Sequence, residues 1–234
     1  MTQGNESNPA RDYRGDSQAR RAEWFRYYSE KRIAQQWLQV HLLQGLPITS
    51  VLEVGPGLGL VTAMLDHAGF TVTTLDRLPA QYDNPRVRHI EADLGEIPAE
   101  RLAGFDAILC CETLEHFPWR QVDGLLAKFR AARPSYLLIS VPYMGTQVAF
   151  SLHVNRLFAR QSFSLKLFRF LWRFRADAAD PHGHKWEAGY HGTGLARLQA
   201  KLAAAGFRIL RREFTARTRS VFYLCEPARL DGVA

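Results

Sequence analysis

Cysteine is scarce, with three residues in 234, and two of them are adjacent at Cys110 and Cys111. So few cannot build a multi-bridge framework, and neighbours on a strand point to opposite faces, so all three are expected to be reduced and structural. No apolar run approaches the roughly 20 residues of a bilayer crossing. The opening stretch MTQGNESNPARDYRGDSQARR has no apolar central segment of the kind a secretory signal carries, which favours a cytoplasmic location. Acids are outnumbered, 23 against 30 Lys and Arg, for a formal charge of +7. Such an excess draws anionic partners, nucleic acid or lipid, but it constrains association rather than fold. The remainder, 47% hydrophobic and 12% aromatic, is ordinary globular composition, and the length supports one core with decorations.

Residues 1–19 are polar, with few anchors, and read as a mobile tail. Over 20–45, Trp24, Tyr28, Ile33, Trp37, Leu38, His41 and Leu42 recur at mostly helical spacing before Gly45 and Pro47, which predicts an N-terminal amphipathic helix. From there β-branched apolar runs alternate with helical ones. Strands are expected at Ser50–Val54, Thr71–Leu75, Val87–Glu91, Phe105–Cys111 and Tyr136–Val141, with helices near Leu60–Ala68 and Trp119–Ala132. That alternation marks an α/β fold with a mainly parallel sheet. A last helix, Thr193–Ala205, leads through Gly206 to two runs, Phe207–Phe214 and Ser220–Cys225, joined by a short polar turn that favours antiparallel pairing. The main domain is thus 46–234, with a helical lid or insertion at 146–192.

The stretch VLEVGPGLGL carries Gly55, Gly57 and Gly59 where a strand turns into a helix. Such a turn exposes backbone N–H groups at a helix N-terminus, and the glycines leave room for a nucleotide-like ligand. The dinucleotide fingerprint G-x-G-x-x-G is not met, because position 60 is Leu60. Asp76 closes the second strand in TTLD, about twenty residues after the first glycine, where a carboxylate can accept from both hydroxyls of a ribose. Asp93 closes the third in EADL, suitably placed for an adenine amino group. Singly, each acid reads as a helix cap or a solvated loop residue; together the three strand ends point at one crevice.

With VLEVGPGLG, TTLD, EADL and FDAILCCETLEHFPW in this order, the chain resembles the class I S-adenosylmethionine-dependent methyltransferases over about Ser50 to Val141. The resemblance implies a Rossmann-like seven-stranded, mainly parallel sheet with helices on both faces and an antiparallel C-terminal strand. It implies S-adenosylmethionine as cofactor, its methionyl part at Gly55, Gly57 and Gly59, its ribose at Asp76 and its adenine at Asp93 with Leu94 beside it. Glu53 matches the acid that opens the family's first motif, and Cys111 and Glu112 are expected to line the cofactor pocket. Pro56 departs from the small or polar residues frequent there and should stiffen the loop.

Methyl transfer from a sulfonium is an in-line displacement on an electrophile already activated by its own charge, so positioning carries most of the catalysis. A general base is needed only where the acceptor must lose a proton. His116, beside Glu115 at the end of the fourth strand, is a candidate base, although a hydrogen-bonded helix-start pair explains the two residues equally. The loop DPHGHKWEAGYHG offers His182, His184, His191 and Glu187; no metal is expected, since H-E-x-x-H and Cys/His spacings are absent. His182 or His184 is expected to touch the acceptor, with Trp186 as an apolar wall. In SFSLKLFRFLWRFR, a helical reading puts Lys166, Arg169 and Arg173 on one face and Phe163, Leu167, Phe170 and Phe174 on another. This is a lid over the acceptor or a membrane-surface contact through 163–175, and its aromatic lining points to a small hydrophobic or lipid-like acceptor. A nucleic-acid methyltransferase and a non-catalytic scaffold are the alternatives.

Overall fold

The computed structural model describes residues 17–144, 148–153, 160–165, 183–215 and 219–228. Two helices, α1 (Ser17–Tyr27) and α2 (Glu30–His41), precede the first strand, β1 (Ser50–Val54). Helix α3 (Leu60–His67) and strands β2 (Thr71–Asp76), β3 (Arg88–Glu91) and β4 (Ala107–Cys111) follow. Next come α4 (Val122–Ala131) and β5 (Tyr136–Pro142). A hairpin of β6 (Val148–His153) and β7 (Arg160–Leu165) forms its own two-stranded sheet. Helix α5 (Leu195–Ala204) and strands β8 (Phe207–Phe214) and β9 (Ser220–Pro227) complete the order.

Seven strands make the main sheet in the order β3-β2-β1-β4-β5-β9-β8. The pairings from β3 to β5 are parallel, and β9 runs antiparallel to both of its neighbours, so six strands share a direction that β9 opposes. The expected architecture is therefore present, with strand limits within about two residues of the sequence reading. Central parallel strands covered on both faces must be apolar on both, which is why β4 and β5 read as apolar runs, whereas the edge strand β3 is only half-buried. The side chains of the central strands alternate between two cores. Leu52, Ile108, Cys110, Leu137 and Ile139 face one, with Leu126 and Phe129 of α4 and Leu198 and Leu202 of α5. Val51, Leu109, Cys111 and Leu138 face the other, with Val61 and Leu65 of α3. Cys110 and Cys111 accordingly point to opposite faces, and all three cysteines are free and buried.

Three expectations need correction. The single helix over 20–45 is two, broken where Ser29 takes an extended conformation (φ −108°, ψ 164°). Its apolar anchors Ile33 and Trp37 are 39% and 53% exposed, whereas Gln35 and Gln39 are buried. The reason is polar: Gln35 Nε2 donates to Ser220 Oγ at 2.7 Å, so α2 turns its amides inward. The helical reading of the insertion fails over Phe163–Leu165, which lie in β7, paired from Val148↔Leu165 to His153↔Arg160. Apolar residues there alternate with Ser and Gln, the period of a strand. Lys166, Arg169 and Arg173, like residues 1–16 of the tail, lie outside the described residues. The third correction concerns Trp186 and belongs to the site.

Candidate functional site

A cleft of about 730 Å³ opens beyond the carboxyl ends of β1, β2 and β4, where an open parallel sheet binds its ligands. The loop after β1 enters it with Gly55, Gly57 and Gly59 at φ of +72°, +57° and +81°. Each is in the left-handed region that side chains resist. The space freed by the missing side chains differs in kind. A Cβ on Gly55 would meet Thr113 Oγ1 at 2.5 Å, and one on Gly59 would meet Tyr82 Cβ at 2.8 Å. One on Gly57 would meet nothing within 4 Å. Only Gly57 leaves its space to the cleft; Gly55 makes way for the β4 tip, and Gly59 is buried at the start of α3 and does not line the cleft.

The acids converge. Glu53, Asp76 and Asp93 all line the cleft, as does Leu94. Glu53 is buried and accepts from Thr62 Oγ1 at 2.6 Å, and burial pushes its carboxyl from 4.5 up to about 7. Asp76 Oδ1 accepts from Leu78 N–H at 3.0 Å, and Asp93 Oδ1 from Gly95 N–H at 2.7 Å, so backbone turns aim both carboxylates. Behind the second turn, Lys128 of α4 donates to the carbonyls of Leu94 and Gly95 at 2.8 and 2.9 Å.

The β4 tip carries the third group. Cys111 and Glu112 line the cleft. Glu112 holds φ +50°, a conformation that costs a non-glycine residue about 1 kcal/mol and that marks functional turns. Its Oε1 accepts from Ser140 Oγ at 2.8 Å. Thr113 Oγ1 bridges the strand tips, donating toward Cys111 O at 3.0 Å and Val54 O at 3.3 Å. A 3-10 turn, Leu114–His116, then sends Glu115 inward and His116 outward onto the cleft. Glu115 is fully buried with no hydrogen-bond partner on either carboxylate oxygen; burial, then Glu112 and Glu187, push its carboxyl well up.

The later loop is pinned to this turn by its backbone. Lys185 N–H donates to Glu115 O at 2.7 Å, and Ala188 bridges Tyr143 at the end of β5. His184 thus stands edge-on to His116, ring centroids 5.2 Å apart, with Nδ1 3.0 Å from Glu187 Oε1. Trp186 is buried against Trp119 with its Nε1–H on Phe117 O at 3.0 Å. It is a core residue, so its expected role as a pocket wall is corrected: its indole N–H finds its partner only inward.

A family model described as "Methyltransferase domain" matches residues 25–210. The chain belongs to the methyltransferase-domain family. The ubiquinone biosynthesis O-methyltransferase of Xanthomonas campestris pv. campestris (strain B100) is 33% identical over 82 residues, 31% of this chain and 34% of that protein. The match thus spans about a third of such relatives' length. Among solved structures, the Burkholderia thailandensis 1,6-didemethyltoxoflavin-N1-methyltransferase, with bound 1,6-didemethyltoxoflavin and S-adenosylhomocysteine, superposes with a TM-score of 0.55 at 20% identity, covering 91% of this chain and 84% of that one. A complex of DhpI with SAH gives 0.58 at 19% identity, covering 90% and 92%. At these identities the likeness is one of fold, the Rossmann-like fold of class I S-adenosylmethionine-dependent methyltransferases.

Within this methyltransferase domain, His116 lines the cleft and His184 backs it, while His191 is exposed and His182 lies outside the described residues. Sequence reasoning missed the wall supplied by the N-terminal helices and the break between them, Tyr27, Tyr28, Gln36 and Gln39. No local pattern marked it, because glutamines on an amphipathic helix read as ordinary solvent contacts. Among the described residues, no helix is long and apolar enough to cross a membrane.

Proposed function

We propose that this chain transfers a methyl group from S-adenosylmethionine to a small, hydrophobic or lipid-like acceptor. One observation carries the reading: Glu53, Gly57, Asp76 and Asp93, from three separate strand ends, line a single cleft. Asp76 accepts from the ribose hydroxyls, Asp93 from the adenine amino group, and the glycine loop receives the methionyl part. The unfilled side of Gly57 gives that part its room. Glu53 would meet a cationic ligand best when ionised, and a positive charge beside it would lower the carboxyl that burial raises.

S-adenosylmethionine, when bound, would supply a sulfonium-activated methyl group, its carbon–sulfur bonding pair staying on sulfur as the acceptor's lone pair bonds to carbon, and the β4 tip with Cys111 and Glu112 would hold it beside the acceptor. The chain's contribution is alignment and exclusion of water. His116 is the residue we place nearest the acceptor. Phe117, Tyr27 and Tyr28 give the neighbouring wall an aromatic character that suits an apolar acceptor. The curated relatives, named for the biosynthesis of a lipid-like quinone, support the same class.

Titration calorimetry with S-adenosylmethionine and S-adenosylhomocysteine tests the cofactor half, with one site per chain expected. Asp76→Ala should weaken it at least tenfold, about 1.4 kcal/mol, with an unchanged melting temperature. No heat with either compound would overturn the reading. Incubation of cell extracts with methyl-labelled cofactor tests the acceptor half: label in the organic-extractable fraction supports it, and label in nucleic acid overturns it.

A further inference from the structure

We propose that Glu115, His116 and His184 form a binding site for one divalent cation of the zinc and manganese class at the acceptor end of the cleft. One ligand atom from each of the three lies within 4.8 Å of those of the other two, close enough to share an ion. The second observation is independent of that spacing. Glu115 is 0% exposed, and neither of its carboxylate oxygens has a hydrogen-bond partner. A fully buried carboxylate without a donor is a rare and costly arrangement, and a cation between it and two imidazoles removes the cost.

The surroundings fit a metal-binding histidine. Glu187 Oε1 lies 3.0 Å from His184 Nδ1, the outer carboxylate that fixes the ring of a ligating histidine and raises its basicity; Nε2 is then the nitrogen that ligates. Glu187 is itself buried, so this support is built into the fold. The parts are held rigidly, because Lys185 N–H donates to Glu115 O at 2.7 Å and joins the loop of His184 to the turn of Glu115 and His116. Two imidazoles and one carboxylate suit zinc, manganese or ferrous iron, whereas calcium and magnesium prefer oxygen alone.

No metal was expected from the sequence, because the histidine-rich loop has no ligand spacing of its own. The site escapes such a search by taking one ligand from that loop and two from the β4 tip. Three protein ligands leave a coordination position open, and His116 places the ion at the wall of the cleft. This second step rests on the proposed function. An acceptor hydroxyl seated on the ion gives up its proton to solvent more readily. Its oxygen lone pair then forms the bond to the methyl carbon as the carbon–sulfur bond breaks, the pair staying on sulfur. The acceptor class narrows to alcohols and phenols, and His116 acts through the ion rather than as the base.

The full chain, stripped with EDTA, is dialysed against Zn²⁺ or Mn²⁺ alone and its metal content read by plasma mass spectrometry. One equivalent of at least one metal per chain is expected, bound at least tenfold more weakly by Glu115→Gln. Should that variant lose its far-UV circular dichroism, His116→Ala, a change at an exposed residue, reads the same loss. Absence of saturable binding, or equal affinity in the folded variants, overturns the site. Calorimetry with S-adenosylhomocysteine on metal-free protein separates the two proposals: cofactor binding without metal binding sinks the site alone, and metal binding without cofactor binding sinks the proposed function alone.

Discussion

Helices α2 and α5 are close in length, 12 and 10 residues, and they bury opposite chemistry. Helix α5 hides Leu198 and Leu202, one turn apart, against the sheet. At the same spacing α2 hides Gln35 and Gln39 and leaves Ile33 and Trp37 in solvent. The inward stripe of a helix is usually apolar because usually it covers a core. In α2 that stripe meets Ser220 and the rim of a ligand cleft, and amides serve there better than leucines. One helix serves the fold, the other the site.

The contrast can be broken by substitution. Leu198→Ala opens a void in the larger core and should cost about 3 kcal/mol in urea unfolding. Its affinity for S-adenosylhomocysteine should stay within twofold of wild type; a comparable loss of affinity would erase the division between the two helices.

The cleft side also carries charge that folding disfavours. Folded Glu53 keeps its proton up to about pH 7, while an unfolded glutamate loses it near its ordinary 4.5. Between those values the folded state binds the extra proton, so stability falls as pH rises. Glu53→Gln has no such proton. Relative to wild type the variant should gain up to about 3 kcal/mol between pH 4.5 and 7, measured without cofactor. Glu112 and Glu115 titrate in both proteins, so the difference isolates Glu53; a difference that does not vary with pH would mean that its carboxyl is not held neutral.

The smallest effects sharpen the comparison most. Gln35→Ala removes the buried bond to the Ser220 hydroxyl and should cost about 1 to 2 kcal/mol, whereas Trp37→Ser on the outer face should stay within about 0.5 kcal/mol. A tryptophan that matters less than a glutamine four places from a second buried glutamine would be direct evidence that α2 is polar inside. The reverse order, read from the same denaturation curves, would show α2 to be an ordinary amphipathic helix.

The sheet was legible because its physics is local. The central parallel strands are covered on both sides and largely apolar, and β1, β2 and β3 announce their ends with Glu-x-Gly, Asp76 and Asp93. Cys110 and Cys111 could be assigned to opposite faces from the strand period alone. The acids of the cleft were legible for a related reason, since strand direction brings Glu53, Asp76 and Asp93 to the same edge. What escaped depends on partners distant in the chain. Gly55 and Gly59 are glycines because of Thr113 and Tyr82, which no local pattern reveals. Trp186 is core because of Trp119 and a carbonyl at Phe117. The inward amides of α2 look like solvent contacts until Ser220 is placed beside them. Phe163–Leu165 of β7 were misread as helix although their alternation is visible, because aromatic residues at helical spacing further along outweighed the local period of two.

Lys128 belongs to α4 and does not border the cleft, yet its ammonium holds two carbonyls of the turn that aims Asp93. Discrimination among nucleobases, in the reading proposed above, is therefore partly housed on the outer layer of the molecule. A survey of variants confined to pocket walls would overlook it, and a modification that neutralised this one amine would loosen purine selection while leaving every contacting atom in place.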